Sequence, residues 1–195
     1  MLHFLGFYDY TVILTYMSLV FAVSGLLLTD SGLFPQAVAC LVVCGICDAF
    51  DGTVARTKKD RTEDEKAFGI QLDSLVDMVS FGVFPAVMSI HMGSGSLLSK
   101  VIAIAYSICA VIRLAFFNVQ EAKRQQQEEG CRKTYRGLPV TSISIIYPLV
   151  YLLRGFLPQA RFAAVLAAVM ALTAFLFILD FSVKKPDVTK LLKRK

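Results

Sequence analysis

The sequence predicts an all-α, polytopic integral membrane protein with about six transmembrane helices, arranged as one domain over residues 1–195. Composition is the first observation behind this fold class: the 195-residue chain is 56% hydrophobic but also 18% charged. A soluble domain of this size would be less apolar, so the charges must be confined to loops. Hydropathy is the second observation, because long apolar segments alternate with short polar ones, and about 20 apolar residues cross a bilayer.

The distribution of basic residues predicts the orientation of these helices. Most of the 20 lysines and arginines lie in the second loop, in the fourth loop and in the C-terminal tail. Loops rich in Lys and Arg stay in the cytoplasm, so these loops and both termini are predicted to be cytoplasmic, in a protein of the cell (inner) membrane. The net charge of +5 then reflects topology and contact with anionic membrane lipids, and it does not indicate binding to nucleic acid.

The elements follow in chain order, beginning with a short interfacial segment at residues 1–9 that is rich in aromatic side chains. Span one ends in the polar turn Thr29–Gly32, and span two carries Pro35 in its first turn, where proline is tolerated. A charged loop without apolar residues, 57–66, separates span two from span three. The six predicted spans cover residues 10–28, 34–55, 67–91, 97–119, 137–156 and 160–183.

The last three spans each have one distinguishing feature. Span four is apolar throughout except for Arg113 and Asn118 near its cytoplasmic end. Span five opens with Gly137-Leu138-Pro139 after a polar loop. Span six carries alanines at 163, 164, 167, 168 and 171, a small-residue face suited to close helix packing, either within the chain or in a dimer.

Four aspartates lie where spans two and three approach the second loop: Asp48, Asp51, Asp73 and Asp77. Each charge at the centre of a spanning helix costs about 2.5–3.5 kcal/mol on insertion scales, so acids in a span indicate a functional site. In helices, the first pair shares a face at i and i+3, and the second pair shares a face at i and i+4. Carboxylates that converge from two helices need cations, and their hard oxygens favour Mg²⁺, Mn²⁺ or Ca²⁺.

Three neighbours of the first pair suit an anionic substrate. Gly52 and Ala55 leave room for a ligand to approach the helix backbone. Arg56 supplies a planar, fork-shaped cation that matches phosphate.

Together these residues resemble the signature of the CDP-alcohol phosphotransferase family, D-x2-D-G-x2-A-R, then twelve residues, then G-x3-D-x3-D. The eight fixed positions are Asp48, Asp51, Gly52, Ala55, Arg56, Gly69, Asp73 and Asp77. Segments 68–86, 113–118 and 135–140 are similar to the phosphatidylserine synthase branch of that family.

The resemblance implies an enzyme that transfers a phosphatidyl group from CDP-diacylglycerol to the hydroxyl of L-serine, releasing CMP and forming phosphatidylserine. It implies direct displacement assisted by two divalent metal ions, Mg²⁺ or Mn²⁺ with Ca²⁺ possible, held by the four aspartates. It gives Asp77 the role of catalytic base. It also implies an active site that faces the cytoplasm and a homodimer. The residues expected to bind the CDP-linked lipid are Asp48, Gly52, Ala55, Arg56 and Gly69.

The acceptor site is predicted from charge. Serine is zwitterionic, so its carboxylate calls for a cation, and Arg113, Lys133 and Arg136 are the candidates, with Asn118 to position the amino acid. Two positions depart from the branch pattern: Phe116 stands where a second cation is common, and Thr141 ends the motif G-L-P-x-P in place of proline.

Two alternatives to serine transfer stay open. One is a phosphotransferase of the same family with glycerol 3-phosphate or an inositol phosphate as acceptor, which would call for a denser basic pocket. The other is a divalent-cation transporter, for which acids spread through the depth of several helices would be typical. A non-catalytic lipid-binding homologue is a further possibility, although no signature residue is missing.

Overall fold

The computed structural model describes residues 6–126, apart from 56 and 59, and residues 134–184, with the side chains of 123–126, 134–136 and 182–184 left out of that description. The described chain is a bundle of α-helices. The helices are α1 (Ile13–Asp30), α2 (Phe34–Ala55), α3 (Glu63–Asp77), α4 (Phe84–Met92), α5 (Leu97–Gln126), α6 (Ile143–Leu152) and α7 (Gln159–Ile178). Two three-residue strands, β1 (Thr134–Arg136) and β2 (Ser182–Lys184), pair in antiparallel fashion.

Within these residues, five helical stretches are long and apolar enough to cross a membrane. They are Tyr10–Asp30, Phe34–Ala55, Glu63–Met92, Leu97–Ala122 and Gln159–Ile178. The remaining predicted span is also apolar and helical, but the stretch Val140–Gly155 is shorter than the other five. The all-α polytopic class is therefore confirmed, whereas the orientation of the termini stays a prediction.

The prediction for span six was wrong at its C-terminal end. Helix α7 stops at Ile178, and Leu179 already has an extended backbone, with φ −72° and ψ 123°. The backbone N–H of Gly137 donates to the carbonyl of Phe181 over 2.6 Å, and β2 then pairs with β1. Hydropathy extended the span because Leu179, Phe181 and Val183 are apolar, but the backbone of this segment bonds to the end of the fourth loop and to Gly137 instead of continuing the helix.

The continuous stretch formed by α3 and α4 is the central helix of the bundle. Of the 18 most apolar consecutive residues of this stretch, 61% are buried inside the protein. The corresponding share is 22–33% for the other four spanning stretches. Its neighbours are α1 on one side and α5 on the other, and α7 packs against α5. The ring of Phe84 fills the space beside Gly25 of α1, where a side chain on the glycine would collide with it.

A π-helical turn, Met78–Val83, joins α3 to α4 directly after Asp77. Wider turns of this kind leave backbone carbonyls without the usual helical partner, and they occur often at functional sites. Here α5 supplies partners: the Tyr106 hydroxyl donates to the carbonyl of Phe81 over 2.7 Å, and the Ser107 hydroxyl donates to that of Gly82 over 3.2 Å. The turn is thus held open by a neighbouring helix.

Candidate active site

Helices α2 and α3 bring the predicted acids together. Asp48, Asp73 and Asp77 each offer a carboxylate oxygen within 4.8 Å of the others. Asp51 lies one turn along α2 from Asp48, and its carboxylate is close enough to interact electrostatically with those of Asp48 and Asp73. We call these four residues the aspartate cluster.

The chemistry of the aspartate cluster fits a divalent metal. Carboxylates within 4.8 Å of one another, as in Asp48, Asp73 and Asp77, repel unless they share a proton or a cation, and Asp51 adds a fourth acid beside them. The donors are all hard oxygens on rigid helices, which suits Mg²⁺ or Mn²⁺ and not a soft, thiolate-binding metal. The cluster could therefore bind metal, with Asp77 as its most enclosed member at 7% exposure.

Helix α3 is anchored at its start by a capping box. The Thr62 hydroxyl accepts from the Glu65 backbone N–H over 3.2 Å, and the Glu65 carboxylate accepts from the Thr62 N–H over 2.8 Å. The first turn is acidic, which suits the positive end of a helix dipole. A firm start fixes the rotation of α3, and so the direction in which Asp73 and Asp77 point.

A cavity of about 290 Å³, which we call the acidic cavity, opens beside three of the aspartates. Arg113 of α5 is the cation in its described wall, and apart from these aspartates and Thr141 the other lining residues are apolar. Its lining residues are Asp48, Asp73, Asp77, Arg113, Leu114, Phe117, Pro139, Val140 and Thr141. A carboxylate cluster and a guanidinium thus face one small space.

Arg113 is positioned by the segment that opens the fifth apolar stretch. Its Nε donates to the carbonyl of Leu138 over 3.1 Å. Its Cζ lies 3.5 Å from where a side chain on Gly137 would begin, and Gly137 has φ +68°, which favours glycine. The G-L-P segment therefore serves as a platform for the guanidinium.

A second cavity of about 220 Å³ lies on the other side of Arg113. Phe116 lines this second cavity and not the acidic one. The substitution of a cation by Phe116, noted in the sequence, therefore leaves the charge of the acidic cavity unchanged.

Four further residues predicted for the site lie outside the lining of the acidic cavity: Asn118, Gly52, Gly69 and Ala55. Asn118 accepts a hydrogen bond from the Ser74 hydroxyl over 2.7 Å, which ties α5 to α3 beside the aspartates. Gly52 is exposed, with nothing within 4 Å of a side chain built on it, whereas Gly69 lies against the guanidinium of Arg61. Ala55 is the half-buried last residue of α2.

Three predicted residues have side chains that lie outside the described part of the structure. Arg56 and Lys133 are not described at all, and Arg136 is described only as the last residue of β1. Their roles stay predictions.

Sequence reasoning did not place Thr141 at the site, and it did not single out Arg61, whose guanidinium lies against Gly69. Thr141 was visible only as a departure from a motif, and its position in the acidic cavity depends on how α6 packs against α2. Arg61 was one of several cations in a charged loop, and no local pattern distinguishes it from the others.

The π-helical turn leads to a first prediction, for Tyr106→Phe. The change removes the hydroxyl that satisfies the Phe81 carbonyl and leaves a buried acceptor unpaired, a cost of about 1–3 kcal/mol. We expect a lower melting temperature in detergent and slower turnover, because Asp77 immediately precedes the turn. The matched control is Tyr147→Phe, which removes an equally buried hydroxyl that donates only to the sulfur of Met92 over 3.6 Å. Equal losses in the two variants would contradict a positioning role for Tyr106.

The helices and the aspartate cluster define a polytopic membrane protein with a candidate divalent-metal site. The chain belongs to the CDP-alcohol phosphatidyltransferase family, whose sequence model matches residues 10–181. That family is generally dependent on divalent metals.

Several characterised relatives have similar sequences. The CDP-diacylglycerol–serine O-phosphatidyltransferase of Saccharomyces cerevisiae is 32% identical over 130 residues, which are 65% of this chain and 46% of the relative. The archaetidylserine synthase of Methanothermobacter thermautotrophicus is 30% identical over 161 residues, 80% of this chain and 64% of the relative. The CDP-diacylglycerol–serine O-phosphatidyltransferase of Bacillus subtilis is 34% identical over 95 residues, 48% of this chain and 47% of the relative. The chain thus matches about half to two thirds of the length of these relatives.

Proposed function

We propose that this protein transfers a phosphatidyl group from CDP-diacylglycerol to the hydroxyl of L-serine, releasing CMP and forming phosphatidylserine. The observation that carries the proposal is the acidic cavity, in which three aspartates and Arg113 face one space. Family membership supports the donor, and the names of the relatives from yeast and Bacillus support the acceptor.

The donor half of the reaction depends on the aspartate cluster. Asp48, Asp51, Asp73 and Asp77 would hold two divalent ions, Mg²⁺ or Mn²⁺ with Ca²⁺ as a third candidate. When bound, such ions neutralise a diphosphate and stabilise the charge that develops on the leaving nucleotide. Gly52 is open enough for the cytidine end of the donor to pack against α2, together with Ala55, and Arg56 is the proposed phosphate partner beside them.

The acceptor half places Asp77 as the general base. Its carboxylate takes the proton of the serine hydroxyl as the hydroxyl oxygen forms a bond to the β-phosphorus. The bond from that phosphorus to the bridging oxygen breaks, and CMP leaves with the electron pair. No covalent intermediate with the enzyme is needed, because the hydroxyl displaces CMP directly.

Arg113 is the proposed partner of the serine carboxylate. It lines the acidic cavity, its guanidinium is held by the Leu138 carbonyl, and a planar fork matches a carboxylate with two hydrogen bonds. Asn118 is proposed to act through Ser74, while Lys133 and Arg136 stay candidates from the sequence.

The proposed setting is the cytoplasmic side of the inner membrane, where a CDP-linked lipid meets water-soluble serine. One domain over residues 1–195, acting as a homodimer, completes the proposal.

An acceptor comparison tests the proposed function. Purified protein in nanodiscs, given CDP-diacylglycerol and Mg²⁺ or Mn²⁺, is assayed for CMP release with L-serine, glycerol 3-phosphate or an inositol phosphate. We expect release with serine to exceed the others at least about tenfold, because Arg113, the cation among the described residues of the acidic cavity, matches a single carboxylate better than a dianionic phosphate. Faster release with glycerol 3-phosphate would overturn the acceptor, and no release with any acceptor would overturn the reaction.

The same assay tests whether Arg113 binds the serine carboxylate. Arg113→Gln is expected to raise the KM for serine about 10- to 100-fold while the KM for CDP-diacylglycerol changes little. The matched control is Arg154→Gln, because Arg154 lies at the end of α6 over the ring of Phe34 and away from the acidic cavity. An unchanged KM for serine in Arg113→Gln would remove this residue from the acceptor site.

A further inference from the structure

Arg61 of the second loop lies on the same face of α3 as the aspartates. Gly69, Asp73 and Asp77 are spaced at i, i+4 and i+8, so they share one side of the helix. A side chain built on Gly69 would begin 2.6 Å from Nη2 of Arg61 and 3.7 Å from its Cζ. The guanidinium therefore rests on bare backbone about 6 Å, four residues, before Asp73 along the helix.

The hydrogen bonds of this guanidinium are incomplete. Nη2 donates to the carbonyl of Glu65 over 3.0 Å. Nε is buried and has no acceptor among the residues that the structure describes. A buried N–H of a charged group without a partner is unfavourable, so a movement of the Arg61 side chain that brings Nε to an external acceptor would be favourable.

The loop that carries Arg61 is held in place by the N-terminal segment. Lys58 bonds to the Asp9 carboxylate at 2.9 Å and to that of Glu65 at 3.0 Å. Tyr10 and Thr57 share a hydrogen bond of 3.1 Å between their hydroxyls. The segment around Asp9 and the first turn of α3 therefore both bond to the loop that carries Arg61.

The ion pair between Lys58 and Asp9 is expected to persist at all pH values near neutrality. The hydrogen bond from the Thr11 hydroxyl, together with Lys58, lowers the pKa of Asp9 to about 2. A lowered pKa means that the contribution of Asp9 to stability is present above its ordinary range and is lost only as the pH falls through about 2. The loop is thus a fixed part of the site.

We infer that Arg61 is a binding residue for the diphosphate of the nucleotide-linked donor, held over Gly69 at the outer edge of the aspartate cluster. The chemistry follows from charge. The diphosphate would lie between the divalent ions of the aspartate cluster and the guanidinium of Arg61, and it would be attracted by both. Gly69 leaves room for this contact, because a side chain there would begin 2.6 Å from Nη2 and shift the guanidinium. The inference rests on the proposed function for the identity of the donor.

The test separates donor binding from acceptor binding. CDP binding to the full-length protein in the presence of Mg²⁺ is measured by calorimetry for wild type, Arg61→Ala and Arg61→Lys, followed by the KM values for CDP-diacylglycerol and serine. We expect Arg61→Ala to weaken CDP binding and to raise the donor KM about 10- to 100-fold, with the serine KM within about twofold. Arg61→Lys keeps the charge but loses the fork, and an intermediate effect is expected.

Lys66→Ala is the matched control, because Lys66 is a cation of the same helix start that pairs with Glu63 at 2.7 Å and is exposed. Melting temperatures identify a variant that fails to fold, in which case Arg61→Lys decides. Unchanged CDP affinity in a folded Arg61 variant would overturn the inference, as would an equal rise in both KM values. If wild type binds CDP but uses an acceptor other than serine, the proposed function fails while this inference is still decided by CDP affinity.

Discussion

Replacing Asp77 by asparagine is expected to lower the turnover of phosphatidyl transfer by at least about 100-fold. Asparagine has nearly the same size, so it fits a position that is only 7% exposed, but it does not take a proton. Asp77 lines the acidic cavity at the last residue of α3, where the serine hydroxyl would approach. The measurement is CMP release under saturating CDP-diacylglycerol and serine.

Because Asp77 also belongs to the aspartate cluster, the variant must be examined for metal and nucleotide binding as well. A loss of turnover with CDP affinity within a few-fold of wild type assigns Asp77 to the chemical step, whereas a parallel loss of both assigns it to metal binding alone. Asp64→Asn is the control, because Asp64 is an exposed acid in the first turn of the same helix. Full turnover in Asp77→Asn would remove the base from the proposed mechanism.

Much of this site could be predicted because it depends on local periodicity. The facing of Asp73 and Asp77 follows from a spacing of four residues within one helix, and the bounds of α2, Phe34–Ala55, match the apolar segment. Long apolar runs are bounded by polar turns for reasons that act within a few residues of the chain. Hydropathy and spacing capture such effects.

The remaining features depend on contacts between distant residues, which no local pattern records. The π-helical turn after Asp77 exists because Tyr106, from a different helix, satisfies the carbonyl of Phe81. The early end of α7 depends on the bond from Gly137 to Phe181 across the fourth loop. In both cases the backbone adopts a less common form because a partner elsewhere compensates for it.

The arrangement of the four acids within the aspartate cluster likewise could not be predicted from the sequence. Spacing treats the four acids as two equivalent pairs, one from each helix. In the fold, Asp48, Asp73 and Asp77 converge within 4.8 Å of one another, and Asp51 stands beside this trio, interacting electrostatically with Asp48 and Asp73. Asp73 therefore belongs to the trio and also interacts with the fourth acid, Asp51, from the other helix, which spacing alone does not show.

That shared position makes Asp73→Asn the sharpest test of metal binding. We expect Mn²⁺ affinity, measured by electron paramagnetic resonance on the purified protein, to fall at least about 100-fold, because the change removes a charged ligand from the converging trio. The stability of Asp73→Asn in the absence of metal is expected to increase relative to wild type. Four carboxylates repel one another, so the melting temperature of Asp73→Asn without metal is expected to exceed that of wild type in chelator.

Adding Mn²⁺ should then reverse the order of the two proteins. A ligand present at about 100 times its dissociation constant stabilises the folded state by about 2.7 kcal/mol, and only wild type would gain this at moderate metal concentration. Asp60→Asn, a change of the same charge at an exposed acid of the second loop, should leave both the metal affinity and the order of melting temperatures as in wild type. If Asp73→Asn were less stable than wild type in chelator and bound Mn²⁺ equally well, the acids would be stabilising one another without metal, and the aspartate cluster would not be a metal site.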